Sequence, residues 1–401
     1  MLFDVEPLPG DPILELMAAY RADASDRKVD LGVGVYQDDA GNTPVLTAVS
    51  EAEAQILKQQ TTKSYVGIAG AAEFNDQMAT MLFGASHPSL QAGRIVTVQS
   101  AGGSGGLRVA GELIRQLRPQ ATVWVTTPTW PNHTPLLSAA GLSLQSVRYY
   151  SDEMNAVDFP AFIADLGDIP EGDVLLLHGC CHNPTGADLN QEQWAQVAQV
   201  CRERGLLPFV DIAYQGFAEG LESDAFGARL LAEHVPEMVV VTSCSKNFGL
   251  YRERVGALSV VTASASTAPA LRSHLLKVVR AMISMPPDHG ARIVATILAS
   301  QALRQQWLDE LESMRSRMQA QRAAFVAALP APLAERFAFV AEQRGMFSLL
   351  GITRAQIDHL RSQWHVYIVG SSRVNVAGLT SAKVDYLAEA LAATLAEVPV
   401  D

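Results

Sequence analysis

The chain has 401 residues, of which 48% are hydrophobic, and a formal net charge of −12. A chain of this length and apolar content can bury a large core, and its length suggests about two to three domains. An acidic surface repels nucleic acid and anionic lipid, so we expect neither as a partner, although arginines in a pocket could still bind small anions.

The cysteines indicate no disulfide framework, because Cys180, Cys181, Cys201 and Cys244 include no Cys-x-x-Cys pair. The first residues contain no basic region followed by an apolar run, so they do not resemble a signal peptide. No stretch approaches the ~18 uninterrupted apolar residues of a membrane helix. The expected compartment is the cytoplasm.

Short apolar runs alternate with helical patterns through the middle of the chain. The spacing predicts helices after residue 106, where Leu107, Ala110, Ile114 and Leu117 share one face, and over residues 190–204. Apolar runs predict strands over residues 94–98, 122–126, 173–177, 207–210, 238–242 and 255–260. Such a pattern is typical of an α/β fold with a mostly parallel sheet that is covered on both faces.

The last third of the chain has a different pattern. A long helix is predicted over residues 301–328, two short β-like runs over 337–340 and 366–369, and a final helix over 381–395. We interpret this region as part of a second, smaller α+β domain. Its boundary is expected within the long helix, near residue 314.

A glycine-rich segment, residues 100–106, follows the first predicted strand. Ligands of open α/β sheets bind past the carboxyl ends of the strands. Glycine allows close approach of the backbone, and the N–H groups at a helix start favour an anion such as phosphate. The segment does not have the Gly-x-Gly-x-x-Gly register of a dinucleotide site or the lysine of a Walker motif. A flexible turn is the alternative.

Two further clusters follow later strands. Trp130 could stack on a flat ring or belong to the core. Asn183, within the segment 178–186, could donate to an anionic ring oxygen, although Asn-Pro-Thr-Gly also forms plain turns. The histidines and cysteines of that segment fit no standard zinc spacing, so we expect no metal site.

Charged and hydroxyl side chains near the later strands are further candidate ligand-binding residues. Asp211 ends an apolar strand and needs a partner, either a protonated ring nitrogen or a structural ion pair. Lys246 follows another apolar strand, where burial would lower its pKa and make it a nucleophile. Ser243 and Arg254 could bind a phosphate. Arg373, between two apolar runs, suits carboxylate recognition but could also be a surface arginine.

Together these groups meet the requirements of pyridoxal phosphate. Over nearly its whole length, the sequence resembles the aspartate/aromatic branch of the class I pyridoxal-phosphate-dependent aminotransferases. The most specific stretches are residues 180–186, Cys-Cys-His-Asn-Pro-Thr-Gly, and 245–251, Ser-Lys-Asn-Phe-Gly-Leu-Tyr. The resemblance implies fold type I, with a large cofactor-binding domain (44–313) and a small domain built from both chain ends (1–43 and 314–401).

The resemblance also implies roles around the cofactor ring. Lys246 would form an imine with the cofactor and move the proton of the substrate. Asp211, supported by His133, would pair with the ring nitrogen. Tyr214 and Asn183 would hold the ring oxygen.

Other implied contacts hold the phosphate and the ring face. Gly103, Ser104, Ser243 and Arg254 would bind the phosphate, and Trp130 would stack on the ring. The implied reaction has two halves, in which an amino acid becomes a 2-oxo acid and a second 2-oxo acid, such as 2-oxoglutarate, takes up the amino group.

The implied substrate contacts come from two subunits. Arg373 and the backbone of Gly34 would bind the α-carboxylate, with Trp130 and Asn183 as further substrate contacts. Members of the family are homodimers with shared sites. Tyr65 would therefore reach the phosphate, and Arg280 a side-chain carboxylate, in the neighbouring subunit.

Some positions depart from the family pattern. Residues 100–101 are Ser-Ala where relatives usually have Thr-Pro. Ser104 stands where aspartate-preferring members often have Thr and aromatic-accepting members commonly have Ser. Ile283 and Met285 stand at positions where relatives commonly have an aromatic residue and a small polar residue. A flexible apolar Met285 near Arg280 favours dual specificity that leans towards aromatic substrates. The alternatives are an unusual substrate of secondary metabolism, a pyridoxal-phosphate lyase and a non-catalytic cofactor-binding regulator.

Overall fold

The computed structural model describes residues 5–8 and 10–399. The chain divides into two compact units. The large unit is Pro44–Ser316, and the small unit combines Met1–Thr43 with Arg317–Asp401. No helix in the described part of the chain is long and apolar enough to cross a membrane.

The strands are numbered in chain order. They are β1 Val29–Asp30, β2 Ile95–Ala101, β3 Thr122–Thr127, β4 Ser143–Arg148, β5 Tyr150–Ser151, β6 Ala156–Val157, β7 Val174–His178, β8 Leu207–Ile212, β9 Met238–Ser243, β10 Val255–Val261, β11 Phe347–Leu349, β12 Val366–Tyr367 and β13 Arg373–Asn375.

The helices are numbered in the same way. They are α1 Pro12–Ala22, α2 Thr47–Gln59, α3 Ala72–Phe83, α4 Pro88–Gln91, α5 Gly102–Leu117, α6 His133–Ser138, α7 Phe159–Asp168, α8 Gln191–Glu203, α9 Leu221–Asp224, α10 Phe226–His234, α11 Ala268–Ile283, α12 Asp288–Ala299, α13 Gln301–Ala328, α14 Ala331–Arg336, α15 Phe339–Glu342, α16 Arg354–Trp364 and α17 Val384–Glu397.

A seven-stranded sheet forms the centre of the large unit, in the order β2-β10-β9-β8-β7-β3-β4. Strand β10 is antiparallel to both of its neighbours, and the pairs from β9 to β4 are parallel. Strands β8, β9 and β10 are buried along their whole length, because helices cover both faces of the sheet. The prediction of an α/β fold with a mostly parallel sheet is confirmed.

The strand register brings functional side chains to one edge of this sheet. His178 at the end of β7 lies opposite Asp211 on β8, and Thr242 on β9 lies opposite Ile212. Because β10 runs in the opposite direction, its first residues lie at this same edge. A Cβ at Gly256 would lie 2.5 Å from the Thr242 carbonyl oxygen, so the close approach requires glycine.

Helix α5 covers the sheet with its apolar face. Leu107, Ala110 and Ile114 are buried in the core of the large unit, as their spacing predicts. Leu117 is 46% exposed, so the buried stripe ends one turn earlier than we predicted. The polar strand β4 at the sheet edge lacks the continuous apolar run of the central strands and was not predicted.

The small unit contains a parallel pair, β1 with β12, and an antiparallel pair, β11 with β13. The prediction of a strand over residues 337–340 is wrong, because Phe339–Glu342 is a helix. Phe337 and Val340 are both buried, and their three-residue spacing places them on one side of a helical turn. Residues 366–369 form a strand only at Val366–Tyr367. The final helix begins at Val384, after a short 3₁₀ turn.

Candidate active site

The glycine-rich segment is the junction of β2 with α5. The helix begins at Gly102, whose φ of 70° is one that glycine adopts without strain. A Cβ at Gly102 would lie 2.5 Å from Arg254 Nη2, and one at Gly103 would lie 3.2 Å from Ser243 Cβ. The first turn of the helix, which includes Ser104, therefore adjoins Arg254 and Ser243. N–H groups at a helix start beside a guanidinium form a binding site for a phosphate.

The loop after β9 holds this arginine. Arg254 Nη1 donates to the Tyr251 carbonyl oxygen at 2.9 Å and to Ser245 Oγ at 3.4 Å. The Ser245 N–H in turn donates to Ser243 Oγ at 3.2 Å. The guanidinium is thus tied to the same loop that carries Lys246, which sets the distance between the anion site and the amine.

Asp211 is a buried carboxylate with a defined partner. It accepts a hydrogen bond from His133 Nε2 at 3.0 Å. Burial by itself raises the pKa of the Asp211 carboxyl, but the hydrogen bond from His133, with smaller contributions from the neighbouring histidines and Lys246, outweighs burial and holds the pKa below its ordinary value. The side chain is therefore an anion at neutral pH, suited to pair with a positively charged group at the carboxyl edge of the sheet.

A chain of hydrogen bonds fixes His133. Its Nδ1 lies 2.8 Å from Thr129 Oγ1, which also lies 3.0 Å from His178 Nε2. When neutral His133 donates from Nε2 to Asp211, its Nδ1 accepts from the Thr129 hydroxyl, whose oxygen then accepts from His178. Burial lowers the pKa of His178 to about 3, so this ring is neutral at pH 7. These hydrogen bonds orient the Nε2–H group of His133 towards the Asp211 carboxylate.

Lys246 lies in the same cluster. Burial lowers its pKa to about 8, with the Asp211 charge acting in the opposite direction and the Arg254 charge adding to the decrease. Its Nζ lies 5.0 Å from the ring centroid of Tyr214. A lysine with this pKa is partly unprotonated near neutral pH and can act as a nucleophile or a base.

Aromatic and amide side chains surround the cluster. Trp130 packs partly against the core and meets His133 edge-on, with ring centroids 5.2 Å apart, so the two interpretations of this tryptophan are compatible. Asn183 and Tyr214 are buried. Trp130 itself is only half-buried.

Arg373 and Gly34 belong to the small unit. Arg373 is 5% exposed, so the interpretation as a surface arginine is wrong. Its guanidinium lies 4.4 Å from the centroid of the Phe347 ring, and its Nη2 donates to the Gly32 carbonyl oxygen at 2.9 Å. A Cβ at Gly34 would lie 3.1 Å from Phe347 Cζ. Phe347 thus contacts both predicted carboxylate-binding residues.

Tyr65 and Arg280 lie on the surface of the large unit, outside the buried cluster. Tyr65 is 93% exposed, and Arg280 is exposed near the end of α11. The turn after this helix is tight: Ser284 has a φ of 62°, and the Met285 N–H donates to the Ile283 carbonyl oxygen at 2.7 Å. Met285 is half-buried there.

The sequence profile described as "Aminotransferase class I and II" matches residues 26–391. The chain belongs to this family. The predictions of the family, of fold type I and of an aminotransferase that uses pyridoxal phosphate are confirmed.

This aminotransferase is similar in sequence both to aromatic-amino-acid aminotransferases and to aspartate aminotransferases. It is 49% identical to the aromatic-amino-acid aminotransferase of Pseudomonas aeruginosa over 394 residues, which cover 98% of each chain. It is 46% identical to the aspartate aminotransferase of Escherichia coli over 396 residues, covering 98% of this chain and 100% of the relative. The solved structure of an aromatic-amino-acid aminotransferase from Burkholderia pseudomallei, covalently bound to pyridoxal phosphate, has a TM-score of 0.96 at 44% identity, covering 98% of this chain and 99% of that one.

The side chains of this aminotransferase fit the cofactor. Gly102 leaves room for an anion beside Arg254, and Asp211 is a buried anion that can pair with a protonated ring nitrogen. Lys246 supplies an amine whose pKa burial lowers to about 8. These three features match the phosphate, the ring nitrogen and the aldehyde of pyridoxal phosphate respectively.

The cysteines near Asn183 raise the question of a metal. Among the described residues, Cys180, Cys181 and Asp224 place possible ligand atoms within 4.8 Å of one another. The Asp224 oxygens accept from four backbone N–H groups, those of Gly216, Ala218, Glu219 and Gly220. A hydrogen bond with Cys181 and burial raise the pKa of Cys180 well above its ordinary value. A protonated Cys180 thiol and a carboxylate that already accepts four hydrogen bonds make a poor metal site.

Two residues of the site were not assigned a role from the sequence. The position of His178 at the end of β7 was a signal, because it is level with Asp211 at the end of the neighbouring strand. Phe347 had no such signal, since its contact with Arg373 comes from the pairing of β11 with β13, which are separated by another helix and strand in the chain.

Proposed function

We propose that this aminotransferase transfers the amino group of an L-amino acid, aromatic or aspartate/glutamate, to a 2-oxo acid such as 2-oxoglutarate, with Lys246 as the catalytic residue. The observation that carries the proposal is the position of Lys246. Its buried amine lies 5.0 Å from the ring centroid of Tyr214, and the charges of both Asp211 and Arg254 act on it.

The residues that would hold pyridoxal phosphate lie along one edge of the sheet. The first turn of α5, with Gly103 and Ser104, would bind the phosphate together with Ser243 and Arg254, supported by the adjacency of Gly102 and Arg254. The nitrogen of the ring would pair with the Asp211 anion.

The remaining contacts would orient the ring. Trp130 offers an aromatic face, and Tyr214 and Asn183 would donate to the ring oxygen. His133 would keep Asp211 in place through the hydrogen bond at 3.0 Å. When bound, the cofactor supplies an electron sink that stabilises negative charge at the α-carbon of the amino acid.

Lys246 would then act as the base. Its unprotonated amine would accept the proton from the α-carbon and then donate it to the cofactor carbon that is bonded to the transferred nitrogen. A pKa of about 8 suits both directions, because the amine is neither fully protonated nor too weak a base near neutral pH.

Arg373 would bind the α-carboxylate of the substrate, with the backbone of Gly34 as a second contact. A planar guanidinium can donate two parallel hydrogen bonds to a carboxylate. The burial of Arg373 supports this role, because hydrogen bonds to a carboxylate are stronger away from water.

For the side chain of the substrate, we propose dual specificity that leans towards aromatic amino acids. Ile283 and Met285 would place apolar groups beside Arg280, where a flexible methionine can pack against a ring. The similar identities to an aromatic-amino-acid and an aspartate aminotransferase do not decide between these substrates. An unusual substrate of secondary metabolism and a lyase remain the alternatives, and a non-catalytic regulator is the least favoured.

We further propose a cytoplasmic homodimer with shared active sites, in which Tyr65 and Arg280 complete the site of the neighbouring subunit. Large apolar side chains of the large unit are exposed, including Tyr65 at 93%, Leu57 at 81% and Val45 at 66%, which is consistent with a partner surface. Free thiols at the four cysteines fit a reducing compartment. Within each subunit, residues 44–313 would act as the cofactor-binding domain, and residues 1–43 with 314–401 as the small domain.

A half-reaction tests the proposed activity. The holoenzyme, mixed with a single amino acid and no 2-oxo acid, should release 2-oxo acid in a stoichiometric amount and lose its visible absorption band. Lys246→Ala should release none. Continuous release of ammonia or carbon dioxide would instead indicate a lyase, and no product with aspartate, tyrosine or phenylalanine would contradict the proposed substrates.

A further inference from the structure

A buried arginine lies in the core of the small unit, on α13. Arg322 is 1% exposed, and burying a guanidinium is unfavourable unless its N–H groups are hydrogen-bonded. Nη1 donates to the Val340 carbonyl oxygen at 2.9 Å and to Ser348 Oγ at 2.7 Å. Nη2 donates to the carbonyl oxygens of Gly345 at 2.9 Å and Phe347 at 2.7 Å. The guanidinium therefore holds residues 340–348 at several points.

This segment leads into the strand pair that carries the substrate arginine. Strand β11 pairs with β13, with Phe347 opposite Asn375 and Leu349 opposite Arg373. The Asn375 Nδ2 donates to the Val33 carbonyl oxygen at 2.6 Å, which ties β13 to the segment before Gly34. Arg322 thus fixes one strand of a pair whose other strand carries Arg373.

The Phe347 ring links the two arginines. Its backbone carbonyl accepts from Arg322, and its ring centroid lies 4.4 Å from the Arg373 guanidinium. The same ring approaches Gly34 closely, because a Cβ there would lie 3.1 Å from Phe347 Cζ. A shift of the backbone at Phe347 would move the surface against which both carboxylate-binding residues pack.

We propose that Arg322 is a positioning residue for substrate binding: by holding the backbone at Phe347, it keeps the Arg373 guanidinium aligned with the α-carboxylate of the substrate. The inference rests on the carboxylate-binding role proposed for Arg373. Arg322 is enclosed in the core, so it acts through Phe347 and not by contact with the substrate.

The Arg322→Lys substitution tests whether the geometry of the guanidinium matters in addition to its positive charge. Lysine keeps the positive charge but offers donors from a single nitrogen, which cannot replace the planar fork that reaches both Val340 and Gly345. The affinity for carboxylates should fall about tenfold, because bidentate binding is sensitive to small displacements. KM should rise equally for aromatic and acidic amino acids, since they share the α-carboxylate, with a smaller change in kcat.

The experiment compares purified holoenzymes at a temperature well below unfolding. The probe is 3-phenylpropionate, a carboxylate without an amino group, and its inhibition constant is measured for the parent, Arg322→Lys, Arg373→Lys and Leu360→Ala. Leu360 lies in the same core on α16 and is fully buried, so its truncation provides a control for lost stability alone. Thermal unfolding and the visible spectrum of the cofactor are recorded for each variant.

Weaker inhibition in Arg322→Lys, with Leu360→Ala and the cofactor spectrum like the parent, would support the proposal. Equal weakening in Arg322→Lys and Leu360→Ala, or none in either, would overturn it. If Arg373→Lys keeps full affinity, the carboxylate-binding role of Arg373 fails, and the role of Arg322 with it. If Arg322→Lys does not fold, Ser348→Ala, which removes one acceptor of the same guanidinium, should weaken inhibition in the same direction, and unchanged inhibition would overturn the proposal.

Discussion

Replacement of Gly102 by alanine should weaken the binding of pyridoxal phosphate through a local clash. A Cβ at Gly102 would lie 2.5 Å from Arg254 Nη2 and 2.9 Å from its Cζ, so the guanidinium must move. A hydrogen bond to a charged group contributes about 1.5 to 3 kcal/mol. Its loss corresponds to a decrease in phosphate affinity of about tenfold to a hundredfold. The φ of 70° adds strain of about 1 to 2 kcal/mol, which lowers the stability of the fold whether or not the cofactor is bound.

The assay compares two ligands of the apoenzyme. Pyridoxal phosphate and pyridoxal share the ring and the aldehyde, but only the first carries the phosphate. Gly102→Ala should therefore lose affinity for pyridoxal phosphate and keep its affinity for pyridoxal. Gly167→Ala on α7 is the matched control, because a Cβ there would meet nothing within 4 Å. Equal losses for the two ligands, or no loss for either, would refute the phosphate site at the start of α5.

Two further predictions concern the amine and the specificity. The rate at which the apoenzyme reacts with pyridoxal phosphate should rise with pH through about 8 and then level off, because only unprotonated Lys246 is nucleophilic. In stopped-flow measurements Asp211→Asn should move this midpoint to lower pH, since the Asp211 charge raises the pKa of Lys246, and an unchanged midpoint would contradict the coupling. Met285→Asn should lower kcat/KM for phenylalanine relative to aspartate by about tenfold, the effect of an altered apolar contact. Ile297→Val, a conservative change in the core, is the control, and an unchanged ratio in Met285→Asn would argue against a role of Met285 in specificity.

Much of the large unit could be predicted from the sequence, because its central strands are buried on both faces. Strands β7 and β9 each begin with four consecutive residues drawn from Val, Leu and Met, and such runs are recognisable without a structure. Strand β4 could not be predicted in this way, since an edge strand exposes polar residues. The apolar run at 337–340 was assigned to a strand because four residues do not distinguish a period of two from a helical turn.

The candidate site was predictable where each residue follows its own strand. Asp211 and Lys246 stand out because a charged side chain at or shortly after the end of an apolar strand is unusual. The hydrogen-bond chain from His133 through Thr129 to His178 depends on the pairing of β3 with β7, and the contact of Phe347 with Arg373 depends on the pairing of β11 with β13. Local sequence patterns contain no information on such distances.

The antiparallel strand β10 has a consequence for the order of assembly. It lies between β2 and β9, and Gly256 allows its start to approach both Thr242 and the backbone at Gly102 and Gly103. The two halves of the phosphate site, at residues 102–104 and 243–254, are about 140 residues apart in the chain and become neighbours only when β10 has paired on both sides. A chain in which this strand is not yet inserted has no complete anion site. Uptake of the cofactor is therefore a measure of completed folding. Cofactor that is supplied during refolding stabilises only those molecules in which β10 has paired with both β2 and β9.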